Sequence, residues 1–121
     1  MKVSVIIPCY NQALFLPKAI ASLQAQTLED WECIIVDDGS TDHTAEAASN
    51  LALQDGRIRL IQKINGGSAS ARDLGLQHAQ CKYVQYLSYS LFSRTLSMLP
   101  LFWMSLYLVI FLNARKNDLT A

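Results

Sequence analysis

The chain has 121 residues, enough for one domain with a real core but small for a complete two-substrate enzyme. Ten Lys/Arg balance ten Asp/Glu, and this zero net charge excludes a broad nucleic-acid-binding surface. Hydrophobic residues make up 51% and charged residues only 17%, a shortage confined to the last third, where 88–121 carry just Arg94, Arg115, Lys116 and Asp118.

Met1-Lys2-Val3-Ser4 lacks the long apolar core of a signal peptide and reads as a strand that starts at once. Val3–Ile7 is a β-branched run suited to a buried parallel strand. Pro8-Cys9-Tyr10-Asn11 ends it with polar and aromatic groups. Leu16, Ile20 and Leu23 then recur at helical spacing, with Pro17 in the first turn, where its missing N–H costs least. Gln26–Asp30 is a polar connection. Trp31–Val36 forms a second strand and runs into Asp37-Asp38-Gly39-Ser40. Ser40, Thr41 and Asp42 are all competent N-caps for a helix carrying Ala45, Ala48 and Ala52 on one face.

Asp55-Gly56 makes a turn, and Ile58–Ile61 is a third strand. Asn65-Gly66-Gly67-Ser68 is a flexible loop ending in a cap. Ser70–Gln80 reads as a third helix with Ala71, Leu74 and His78 on one side, and Tyr83–Leu87 as a fourth strand. The order βαβαβαβ predicts an α/β fold: a mostly parallel open sheet with helices on both faces.

Cys9, Cys33 and Cys81 are far apart and form no C-x-x-C pattern, so buried reduced thiols in a cytoplasmic protein are expected. His43 and His78 lack partner motifs and read as ordinary helix positions. Leu96–Leu112 is free of charge, though Ser97, Pro100 and Ser105 interrupt it. As an apolar C-terminal helix it would span about 26 Å, a little less than the roughly 30 Å bilayer core. Arg115 and Lys116 follow, as at a cytoplasmic membrane edge. Membrane contact through this segment, packing on the domain, or an unnatural tail are the three readings of it.

Two strands that end in ligand-ready chemistry suggest one nucleotide-sized pocket, since open α/β sheets bind ligands at their carboxyl edge. Asp37 and Asp38 serve either a ligand or the helix that follows them. Asn65-Gly66-Gly67 is no Walker loop, because no Gly-Lys-Ser/Thr follows, and no G-x-G-x-x-G follows the first strand.

Four ordered motifs carry a resemblance. They are Ser4-Val5-Ile6-Ile7-Pro8-Cys9-Tyr10-Asn11, Ser22-Leu23-Gln24-Ala25-Gln26-Thr27, Ile35-Val36-Asp37-Asp38-Gly39-Ser40-Thr41-Asp42, and Asn65 through Gly75. Together they make Val3–Leu87 similar to the N-terminal half of family 2 glycosyltransferases, which have the GT-A fold. The resemblance implies a nucleotide diphosphate sugar donor, most often a UDP-sugar, and a place in cell-surface polysaccharide biosynthesis. It implies that Pro8 and Tyr10 bracket the base and that Asp38 accepts a hydrogen bond from it. Asp37 would support the ribose or the loop, Arg72 would bind the pyrophosphate, and Gly66 and Gly67 would form a loop near the donor. A carboxylate suits an imide N–H, and a guanidinium suits phosphate oxygens.

The resemblance also implies Mn²⁺ or Mg²⁺ held by a D-x-D motif after the fourth strand. Here those positions are Ser88, Tyr89 and Ser90, and neutral hydroxyls are poor ligands for a hard cation. Lost motif, lost charge and a new apolar stretch coincide near residue 88. The expectation is therefore a donor-binding half over 1–87 and a non-matching tail over 88–121, truncated or frameshifted, with little or no sugar transfer. Adjacent reading frames of the gene test this: if none encodes an Asp-rich continuation, the hypothesis fails. The competing expectation is a non-catalytic nucleotide-binding or membrane-tethered module. An incomplete sheet of this kind also predicts self-association through its open edge.

Overall fold

The computed structural model describes residues 3–26 and 29–87. Four strands alternate with three helices: β1 (Val3–Cys9), α1 (Phe15–Gln24), β2 (Trp31–Asp37), α2 (Thr44–Gln54), β3 (Ile58–Gln62), α3 (Ser68–His78) and β4 (Tyr83–Tyr86). The sheet is fully parallel in the order β3-β2-β1-β4. The chain therefore builds outward from β1 through β2 to β3, then crosses back over α3 to set β4 on the other side of β1. The strand order reverses between β1 and β4, the place where open α/β sheets form a ligand crevice.

The period-two alternation of the strands divides the core into two layers. Val3, Val5, Ile7 and Cys9 of β1 and Trp31, Cys33 and Ile35 of β2 face α1 and Ala48 of α2. Ile6, Ile34 and Val36 face the other way and pack with Ala71 and Leu76 of α3. Helices thus cover both faces, as the sequence pattern predicts. Gly75 is what lets α3 lie so close. A Cβ built there would sit 2.5 Å from Cγ2 of Ile6 and 3.2 Å from Cγ2 of Val36.

Polar groups at the amino edge of the sheet are paired. Glu32 is buried, and its carboxylate accepts from Arg59 Nη2 at 2.8 Å and from the backbone N–H of Gln80 at 3.3 Å. Ser4 Oγ accepts from the N–H of Cys81 at 3.1 Å. Together these bonds tie the chain after α3 to β1 and β2.

Element boundaries differ from the sequence reading in physical ways. The first strand runs on through Pro8 and Cys9. β4 pairs with β1 only from Val3 to Ile6, and the N–H of Leu87 reaches Ile6 O, so the missing donor of Pro8 falls beyond that ladder. α3 starts at Ser68 rather than Ser70, with Gly67 at its cap, and Ser68 is helical rather than the capping residue. His78, expected on the apolar side, is exposed, while Gly75 and Leu76 are buried. α2 begins at Thr44, and none of the expected caps stands next to it. His43 holds that position without a capping hydrogen bond from its side chain, and Asp42 accepts from the Thr44 N–H at 2.9 Å from one residue further back.

All three cysteines are free and buried, as expected. Among the described residues no helix is long and apolar enough to cross a membrane. Ser88, Ser90, the apolar Leu96–Leu112 segment and the 88–121 unit lie outside the described residues.

Candidate functional site

The carboxyl edge of the sheet gathers most of the expected residues. Parallel register sets Cys9 beside Asp37, and the ladder continues one step further, with the N–H of Asp38 donating to Cys9 O at 2.9 Å. The N–H of Lys63 donates to Asp37 O at 3.0 Å. The two aspartates therefore stand where β1, β2 and β3 end.

Asp37 is buried and turns inward. Its Oδ1 accepts from the backbone N–H of Ser40 at 3.1 Å and from the Ser40 hydroxyl, which closes the turn behind Gly39. Ser40 Oγ in turn accepts from the N–H of Asn11 at 3.0 Å. Asn11 has a left-handed backbone (φ 52°), and its Oδ1 accepts from the N–H groups of Thr41 and Asp42. Asn11 thus acts as a turn residue and also staples the end of β1 to the loop after β2.

Asp38 is the centre of the site. Its Oδ1 accepts from Lys63 Nζ at 2.8 Å and from the Gly66 N–H at 2.9 Å; its Oδ2 accepts from the Gly67 N–H at 2.9 Å. Asn65 Nδ2 donates to the Asp38 carbonyl at 3.0 Å. Gly39 (φ 75°) makes this docking possible, since a Cβ there would sit 2.7 Å from the Asn65 nitrogen. The Asn65–Gly67 loop is therefore folded onto Asp38 rather than free. Burial disfavours the Asp38 carboxylate, but the bonds from Lys63, Gly66 and Gly67 outweigh it and hold the carboxyl below its ordinary value. Nearby, Cys9 is pushed up to about 12, first by burial and then by Asp37, Asp42 and Asp38. It stays a thiol at neutral pH and is no nucleophile.

Tyr10 is half exposed and lines a cavity of about 430 Å³ with residues 11–15 and Asp42. Gln12 Oε1 is buried near this cavity without a hydrogen-bond partner among the described residues. Asp37 and Asp38 are not among the residues that line it. Arg72 is exposed on the second turn of α3. Tyr86 at the end of β4 has its hydroxyl pKa raised by burial and by Asp73, and Arg72 opposes that rise. Arg72 therefore lies near enough to Tyr86 at the end of β4 to act on it electrostatically. Direct bonds thus join Asp38 to Gly66 and Gly67, while the neighbouring Asp37 bonds to Ser40, Pro8 pairs with Val36 in the sheet and Arg72 stands exposed on α3.

Lys63 is the site residue that the sequence does not announce. Its partner is 25 positions away, and an isolated lysine after a strand carries no spacing signal. It also bears on metal binding. Among the described residues no three His, Cys, Asp or Glu side chains cluster to hold an ion. Asp38 is neutralised by an ammonium, and Asp37 Oδ1 is taken by Ser40. The described residues therefore do not fit a divalent cation.

Comparison with known proteins identifies the family and the fold. The Glycosyl transferase family 2 model matches residues 4–88. The uncharacterized glycosyltransferase EpsJ of Bacillus subtilis is 42% identical over 98 residues, covering 76% of this chain and 28% of EpsJ. Among solved structures, S. aureus TarS 1-349 in complex with UDP-GlcNAc superposes with a TM-score of 0.67 at 29% identity, covering 73% of this chain and 26% of that one. The mannosyltransferase PcManGT from Pyrobaculum calidifontis, in complex with GDP-Man and Mn²⁺, gives 0.60 at 30% identity, covering 69% and 26%. The chain thus spans about a quarter of the length of these proteins. With the matching sheet, the carboxylate pair at its carboxyl edge and the family model over residues 4–88, the chain belongs to glycosyl transferase family 2.

Proposed function

We propose that this chain binds the nucleotide diphosphate part of a sugar donor, with UDP-sugars preferred, at the carboxyl edge of β1 and β2. The observation that carries the reading is Asp38: a buried, ionised carboxylate held by a glycine loop at the edge where this sheet class binds ligands. In this reading Asp38 accepts the imide N–H of the base, and Asp37 braces the turn that presents it. Pro8 and Tyr10 border the base, the Gly66-Gly67 loop borders the donor, and Arg72 meets the pyrophosphate. The neighbours solved in complex with UDP-GlcNAc and with GDP-Man and Mn²⁺ support a nucleotide sugar and, for the family, a divalent metal.

The family reaction that this reading implies joins an acceptor oxygen to the anomeric carbon as the bond to the diphosphate breaks, with the acceptor proton passing to a base. The chain as it stands transfers sugar weakly in this proposal. Ser88 and Ser90 offer hydroxyls where the family's metal-binding carboxylates are expected, and losing metal stabilisation costs several kcal/mol of barrier.

Calorimetric titration of the full chain with UDP, with and without Mn²⁺, tests the reading. The expected result is binding that Mn²⁺ does not change and that Asp38→Ala abolishes. Binding that ignores Asp38→Ala refutes the base site, and binding that requires Mn²⁺ refutes the weak-metal reading of Ser88 and Ser90.

A further inference from the structure

We propose that Lys63 is a specificity-determining residue, which restricts the base site to bases presenting a single N–H flanked by carbonyls and so selects uracil over guanine. The inference rests on the reading that Asp38 meets the base.

It follows from counting lone pairs. An ionised carboxylate has about four acceptor positions, two on each oxygen. Asp38 Oδ1 has both filled, by Lys63 Nζ at 2.8 Å and by the Gly66 N–H at 2.9 Å. Oδ2 has one filled, by the Gly67 N–H at 2.9 Å. Among the described residues, one position is left, and it is on Oδ2. Guanine presents two adjacent donors, N1–H and N2–H, which a free carboxylate takes on its two oxygens. Here the second donor finds Oδ1 saturated and meets an ammonium, which is itself a donor. Uracil presents one imide N–H with a carbonyl on each side.

Lys63 also has a proton to offer a carbonyl. Its ammonium carries three donors. Among the described residues two are used, on Asp38 Oδ1 and on Ile64 O at 2.6 Å. The third suits a carbonyl beside the imide and opposes an amino group. The lysine side chain is only 14% exposed and the Asp38 side chain 6%, so water is a poor substitute for a missing partner.

Two measurements on the full chain test this. First, affinities for UDP and GDP are compared in wild type, Lys63→Met and Lys63→Arg, with Asp38→Ala as the control for the base site. The expected result is a UDP:GDP preference that falls roughly tenfold or more in Lys63→Met and survives in Lys63→Arg. An unchanged preference in Lys63→Met, with Asp38→Ala still abolishing binding, overturns the role of Lys63 and leaves the base site standing. Second, wild type is titrated with inosine diphosphate and GDP, which differ by the 2-amino group alone. This needs no variant and holds even if Lys63→Met fails to fold. Inosine diphosphate is expected to bind at least as tightly as GDP; tighter GDP overturns the proposal. No binding of any nucleotide, or binding indifferent to Asp38→Ala, overturns the base-site reading and this inference with it.

Discussion

At the scale of single residues, Asp38 and Lys63 set both the stability and the chemistry of the edge. Both side chains are largely buried, and neither is covered by solvent enough to be screened. Replacing Lys63 by Met leaves the carboxylate with two backbone donors and no counter-charge. The cost is expected to be about 1.5–3 kcal/mol, the range for hydrogen bonds to charged groups. The pH dependence has a definite sign. Asp38 titrates below its ordinary value in the folded chain, so its contribution is complete above the unfolded value near 3.9 and is lost as pH falls through the folded value. Lys63→Met removes one cause of that depression. The acid-unfolding midpoint, followed by circular dichroism, should therefore move to higher pH. A midpoint that stays where it is would mean that the backbone N–H groups alone stabilise the carboxylate. Asp55, lowered chiefly by its bonds from Arg57, contributes acid sensitivity in the same direction and should be unaffected by the substitution.

At the scale of elements, α3 joins the site to the core. It packs on Ile6 and Val36 through a glycine, and its first turn follows directly from the loop that clamps Asp38. A methyl group at Gly75 would overlap Ile6, which is central and fully buried. Gly75→Ala is expected to destabilise the fold by about 1–3 kcal/mol despite the better helix propensity of alanine. Thermal melting reads this directly, and an unchanged or raised Tm would show that α3 can lift off the sheet at little cost. Such a lift would also loosen the Gly66 and Gly67 donors, so the same variant should weaken nucleotide binding.

At the scale of the whole molecule, the two core layers share one sheet. Cys9 and Cys33 belong to the α1/α2 layer, and Cys81 lies on the opposite face near Ser4 and Glu32. Each thiol is buried, and burial raises the pKa of each. If the domain unfolds as a unit, all three should react with a disulfide reagent in one phase at the rate of global opening. Separate phases, with Cys81 fast and the other two slow, would show that the faces open independently.

Much of this was legible from the residues alone. Strand and helix signals are local: β-branched runs, period-two burial and helical spacing of Leu16, Ile20 and Leu23 depend only on near neighbours. They yield the βαβαβαβ order and the two-faced sheet, and the four motifs yield the family. Boundaries and caps were less legible, because Ser40, Thr41, Asp42 and Ser68 all carry capping chemistry and only the fold selects among them. The sequence by itself also marked Asp37 and Asp38 as the chemical end of β2. Only the tertiary structure decided what each does there. Asp37 closes its own turn with Ser40, whereas Asp38 takes Lys63 and the glycine loop from after β3. The reason is physical. Both aspartates have the same chemistry and adjacent positions, but alternation along a strand sends their side chains to opposite sides. Which distant donors wait on each side is set by the parallel register of β2 and β3, and no local pattern encodes that.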